Sequence, residues 1–133
     1  MTSSTLQWIG EGKFVGTDST KHSVVISTGA DVVGMKPTEL VLVGLSACTA
    51  VDVVGILEKK KQPLSSLVIT ASAEHDSEPP WPMRKIHVKY TLSGEGLTAQ
   101  AAAQAIELSE KKYCSVAATL RGVAEITTEF EIV

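Results

Sequence analysis

From Leu40 to Leu57 the chain carries one charge, Asp52, and almost every other residue is apolar. Pro37 or Thr38 opens this run and Pro63 follows it, so it reads as one long helix ending near Lys61. A helix that is apolar on almost every side is buried on every side in a soluble protein. The run is about the minimum length for a membrane span. Asp52, Ser46, Thr49 and two glycines make it a poor one, and a buried central helix is the expectation. Cys48 stands in its middle, with Asp52 one turn on. A thiol and a carboxylate inside a buried helix mark the place where function is expected.

The rest of the chain supplies the cover. Alternating residues predict strands at 5–9, 13–16 and 22–27, a meander, and residues 29–36 read as a loop into the helix. After the helix, 65–75 reads as a long strand with Leu67, Ile69, Ala71 and Ala73 on one face. Residues 76–82 hold Pro79, Pro80 and Pro82 and form a stiff loop carrying Trp81. In the strand at 84–92, Ile86, Val88, Tyr90 and Leu92 face inward. Thr98 caps a second helix over 99–112; a short helical piece at 115–120 and a strand at 123–133 close the chain. The order βββ-α-ββ-α-β is an α+β fold, and 133 residues make one domain, 1–133. Six strands of one small domain cannot cover a long helix on all faces. Two chains wrapped around a pair of such helices can, so an intertwined homodimer is predicted.

Net charge is −3 with no large basic block, which argues against nucleic acid and an anionic membrane surface as partners. The first residues lack the basic-then-apolar order of a signal peptide, and a cytoplasmic location is expected. Two cysteines, Cys48 and Cys114, are too few for a disulfide scaffold. They are core thiols or a redox couple. Cys48 is ten residues inside its helix, far from the helix end that would favour a thiolate, and Asp52 at i+4 would oppose one. Reactivity therefore needs a group brought in from elsewhere. Cys114 is the candidate partner, because a peroxide-oxidised thiol becomes a sulfenic acid that a second thiol traps. His22, His75 and His87 have no ligand spacing, so no metal is expected, and no glycine-rich phosphate loop precedes a helix. Asp52 reads as a proton acceptor near the thiol, or as a carboxylate paired with a lysine or capping backbone groups. Trp81 reads as a lid over a pocket or as a locally packed loop aromatic.

The motifs Pro37-Thr38-Glu39-Leu40, Gly44-Leu45-Ser46-Ala47-Cys48-Thr49-Ala50-Val51-Asp52 and Lys111-Lys112-Tyr113-Cys114-Ser115-Val116 resemble the OsmC/Ohr family. These are the osmotically inducible protein C and organic hydroperoxide resistance proteins. The Cys-Thr-Ala-Val-Asp form is most similar to the OsmC-like branch. The resemblance implies an intertwined α+β homodimer with the first cysteine on a central buried helix. It implies reduction of organic hydroperoxides or hydrogen peroxide, with Cys48 as peroxidatic thiol, Cys114 as resolving thiol, an external dithiol as reductant and no cofactor. In the peroxidases, an arginine from the N-terminal strands and a glutamate just after the helix-opening proline flank the reactive thiol. Here Thr38 takes the glutamate's place, Glu39 comes one step later, and no arginine precedes Arg84. Arg84 is a cation that could reach the site across a dimer. These departures imply weak peroxidase activity. The alternative is a non-catalytic OsmC-like protein that binds a small apolar ligand or senses redox state.

Overall fold

The alternation of the N-terminal third folds as an antiparallel meander of β1 (Ser4–Gly10), β2 (Lys13–Asp18) and β3 (Ser23–Ser27). The computed structural model describes residues 1–28 and 33–133. The described residues form two compact units, Met1–Val41 and Leu42–Val133. In the first unit, Gly10 and Gly12 take positive φ angles of 96° and 71° in the β1–β2 turn, which a side chain would strain. Of the loop expected at 29–36, residues 29–32 lie outside the described residues. Met35 beyond them bridges Ile26 in parallel. Gly34 is required there by contact: a Cβ would stand 2.7 Å from the Val25 carbonyl oxygen.

The helix α1 spans Pro37–Lys59. It stops two residues before the expected end because Lys61 turns left-handed, with φ 63°. The Gln62 N–H then bonds the Leu57 carbonyl and the Lys61 N–H bonds that of Glu58, a Schellman closure. Within one chain the helix is not buried on every side. Leu45, Thr49, Val53 and Leu57 form a buried row at every fourth position. On another face Val43 is 49% and Val51 74% exposed, with exposed Ala47 between them. By length and composition alone α1 could cross a membrane. Here its buried row belongs to the core of the second unit.

That unit holds a sheet of order β4-β5-β6, formed by β4 (Ser66–His75), β5 (Met83–Ser93) and β6 (Glu125–Ile132). β4 and β5 pair antiparallel; β5 and β6 pair in parallel, from Lys85 opposite Glu125 to Leu92 opposite Ile132. Parallel pairing needs a long crossover. Helices α2 (Ala99–Leu108) and α3 (Ser115–Leu120) provide it. The central strand buries Ile86, Val88, Tyr90 and Leu92, the inward set expected from its alternation. Thr98 caps α2 as expected, its hydroxyl accepting the Ala101 N–H at 3.2 Å. The expected helix over 99–112 is broken, however. From Ser109 to Tyr113 the backbone is a π-helical turn. The Cys114 N–H closes it on the Ser109 carbonyl at 2.8 Å.

Candidate active site

The end of the π turn decides where Cys114 goes. It leaves the helical path with φ −77° and ψ 105° and becomes the N-cap of α3. Its sulfur accepts the Ala117 N–H at 3.3 Å, the place a serine or aspartate oxygen usually takes. Cys114 is 2% exposed. Cys48, from the middle of α1, meets the same helix start. Its sulfur lies 4.0 Å from the Ser115 hydroxyl. Cys114 directly precedes Ser115, so both cysteines lie at the start of α3. Neither is in a disulfide.

This arrangement splits the two thiols. Burial by itself pushes the Cys48 thiol up. The Val116 N–H, the Cys114 thiol, the Ser115 hydroxyl and the Ser115 N–H together outweigh it and hold Cys48 below the ordinary thiol value. Peptide N–H groups at a helix start favour an anion because no carbonyl of that helix satisfies them. Cys114 moves the other way. Burial, and then the neighbouring Cys48 sulfur, push it up from 9.0 to about 11. Cys48 is therefore the more acidic of the two thiols.

The groups that lower the Cys48 thiol come from the start of α3: two backbone N–H groups, the Ser115 hydroxyl and the Cys114 thiol. Arg84 is turned elsewhere: its Nε donates to Asp76 Oδ2 at 2.9 Å. Trp81 is 57% exposed in its loop, where its N–H bonds the Glu78 carbonyl and its own carbonyl meets His75 Nδ1 at 2.8 Å. Among the described residues, no hydrogen bond or ion pair joins Arg84 or Trp81 to either cysteine. Thr38 and Glu39 are exposed in the first turn of α1, in the other unit. Asp52 accepts the Ser109 hydroxyl at 2.8 Å, and among the described residues neither a lysine nor a backbone N–H bonds its carboxylate. The helical piece at 115–120 was expected, but the approach of its Ser115 to the Cys48 sulfur escaped sequence reasoning. The available signal was a side-chain acceptor, Cys114, immediately before Ser115-Val116-Ala117.

The OsmC-like protein family model matches residues 28–129. The chain belongs to the OsmC-like family. Among curated proteins it is similar to Protein YhfA of Escherichia coli K12, 30% identical over 96% of each chain. Its fold is that of a hypothetical protein from Aquifex aeolicus VF5, with TM-score 0.90, 28% identity, and coverage of 100% of this chain and 96% of that one. An OsmC-like protein from Mycoplasma pneumoniae matches at TM-score 0.87 and 16% identity, over 100% of this chain and 97% of its own. The organic hydroperoxide resistance protein OhrB of Bacillus subtilis shares the fold at TM-score 0.68 and 17% identity, over 98% of both chains. In this OsmC-like chain both cysteines fall inside the matched segment.

The raised thiol has a consequence for stability. Between 9.0 and about 11, folded Cys114 keeps a proton that the unfolded chain has lost. Tyr90 acts in the same direction, because burial raises its phenol above 10.0. Wherever the unfolded state binds fewer protons, stability falls as pH rises. The stability present below pH 9 is therefore expected to be lost progressively towards pH 11. Urea midpoints across that range check it. A flat midpoint for wild type, or an unchanged slope in Cys114→Ser, contradicts it.

Proposed function

We propose that this OsmC-like protein is a dithiol peroxidase for organic hydroperoxides or hydrogen peroxide, with Cys48 the attacking thiolate and Cys114 the resolving thiol. The observation that carries the reading is the placement of both cysteines at the start of α3, where the Cys48 sulfur lies 4.0 Å from the Ser115 hydroxyl and the Cys114 sulfur accepts the Ala117 N–H at 3.3 Å. Cys48 thiolate attacks the distal peroxide oxygen. The O–O bond breaks, the alkoxide takes a proton and leaves as alcohol, and Cys48 becomes a sulfenic acid. The Cys114 thiol then attacks that sulfur. The S–O bond breaks, the departing hydroxide takes the Cys114 proton as water, and a disulfide forms. An external dithiol reduces the disulfide and is itself oxidised.

The Cys114 proton is retained until it is useful. A thiol at about 11 does not compete with Cys48 for peroxide at neutral pH. The sequence supplies no N-terminal arginine, and lysine lacks the planar fork that would orient a peroxide. The proposed enzyme is therefore slow. Two assays test the reading: loss of cumene hydroperoxide with a dithiol present, and mass detection of one intramolecular Cys48–Cys114 disulfide per peroxide consumed. A wild type that consumes neither peroxide with any dithiol ends the proposal.

The second copy belongs to the same reading. Val43, Ala47 and Val51 recur every four residues on one exposed face of α1. A contiguous apolar stripe of this kind marks an interface. We assign it to a second chain packed in a homodimer. Sedimentation is expected to give twice the 14.1 kDa chain mass, and a monomer at micromolar concentration refutes the assignment.

A further inference from the structure

Three hydroxyl groups and one carboxylate join in a row through the core of the second unit. Tyr90 Oη and Thr49 Oγ1 are 2.8 Å apart. Ser109 Oγ donates toward Thr49 Oγ1 at 2.8 Å and toward Asp52 Oδ2 at 2.8 Å. A hydroxyl carries one proton, so Ser109 shares it between two acceptors, a hydroxyl and a carboxylate. The row crosses three elements: β5, α1 and the first residue of the π turn. Tyr90 is 2%, Thr49 3% and Ser109 0% exposed.

A polar row in this setting needs a reason. Its neighbours on α1 and β5 are apolar, and buried hydroxyls must all find partners or cost stability. Apolar residues of similar size would pack the same space without that demand. The row is placed between the two thiols in the chain's wiring. Thr49 directly follows Cys48 on α1. Ser109 is bonded through its carbonyl to the Cys114 N–H at 2.8 Å, the bond that closes the π turn. One residue, Ser109, thus couples the segment carrying Cys114, through its carbonyl, to the residue beside Cys48, through its hydroxyl.

We propose that Tyr90, Thr49, Ser109 and Asp52 form a positioning chain that holds Cys114 and the α3 N–H groups against the Cys48 sulfur. The inference rests on the dithiol reading of the site. None of the four touches peroxide; they act by fixing the register of the π turn on α1. Without the chain the turn relaxes, the Val116 and Ser115 donors move off the sulfur, and the thiolate loses what stabilises it. The charged and titratable groups that bear on the chain are Asp52 from α1, Glu110 from the π turn, Cys114, and Tyr90 itself.

The test is the pH profile of Cys48 alkylation by iodoacetamide, followed by peptide mass, in the full chain. Thr49→Val removes the hydroxyl and nearly keeps the shape. Thr49→Ser keeps the hydroxyl. Thr49→Val is expected to lower Cys48 alkylation at pH 7 about three- to tenfold and to move the profile to higher pH, since a unit of thiol shift is tenfold in thiolate. Thr49→Ser is expected to stay within about twofold of wild type. A Thr49→Val protein that melts earlier but alkylates on the wild-type profile overturns the inference, because the row is then structural only. If Thr49→Val does not fold, Tyr90→Phe removes the far hydroxyl and is read in the same way, with the same shift expected and the same overlay overturning it. Alkylation needs no peroxide turnover. A protein that shifts as expected yet consumes no peroxide keeps this inference and loses the functional one.

Discussion

Replacing Cys48 by serine is expected to abolish hydroperoxide consumption, a loss of roughly a thousandfold or more. The hydroxyl of serine is not ionised near neutral pH, and the α3 N–H groups that hold a thiolate do little for a neutral alcohol. Cys114→Ser is expected to differ in kind. Serine is a better helix N-cap than cysteine, so the Ala117 N–H keeps an acceptor and the start of α3 survives. The first chemical step then proceeds once, alcohol is released, and Cys48 stays as a sulfenic acid that dimedone labels. Turnover with an external dithiol falls because no internal thiol captures that acid. Rates are followed by peroxide loss and the adduct by peptide mass. A Cys48→Ser protein that retains wild-type consumption would show that the chemistry lies elsewhere. A Cys114→Ser protein that never labels on Cys48 would remove Cys114 from the resolving role.

The parts of the molecule legible in the sequence were those set by local periodicity. Ile86, Val88, Tyr90 and Leu92 alternate, and a strand can put such a set on only one face. Thr98 stands where an apolar helical run begins, and a threonine there caps. The cysteine pair was legible as a motif rather than from spacing, because nothing in the interval between Cys48 and Cys114 brings them together. That depends on the π turn. Ser109-Glu110-Lys111-Lys112-Tyr113 reads as more of the same polar helix; the turn differs by shifting a carbonyl acceptor one residue, which no side chain announces. The donors beside Cys48 were not legible for a related reason. Two of the four groups that lower the Cys48 thiol are peptide N–H donors, and every residue except proline has one. The apolar run of α1 misled in its extent. Composition shows that all faces are apolar, but only the packing shows that one chain buries every fourth residue.

Leu57→Ala is expected to cost about 2–5 kcal/mol of stability. Leu57 is 0% exposed at the C-terminal end of the buried row of α1, and its carbonyl anchors the Schellman closure. Alanine is the best helix former, so the backbone hydrogen bond survives and the loss comes from packing. The substitution deletes apolar contacts in the cluster that also contains Val53, Tyr90 and Cys114. The cavity adds to the transfer cost because surrounding side chains collapse only in part. Urea unfolding should show a lower midpoint with an unchanged slope, as a native-state packing loss requires. Peroxide consumption below the new transition should persist, since Leu57 lies more than two helical turns beyond Cys48. Activity should then disappear with the fold rather than before it. A cost below about 1 kcal/mol would place Leu57 outside a well-packed core. An activity loss well below the unfolding midpoint would instead tie the α1 terminus to the dithiol, beyond what the positioning chain at Thr49 accounts for.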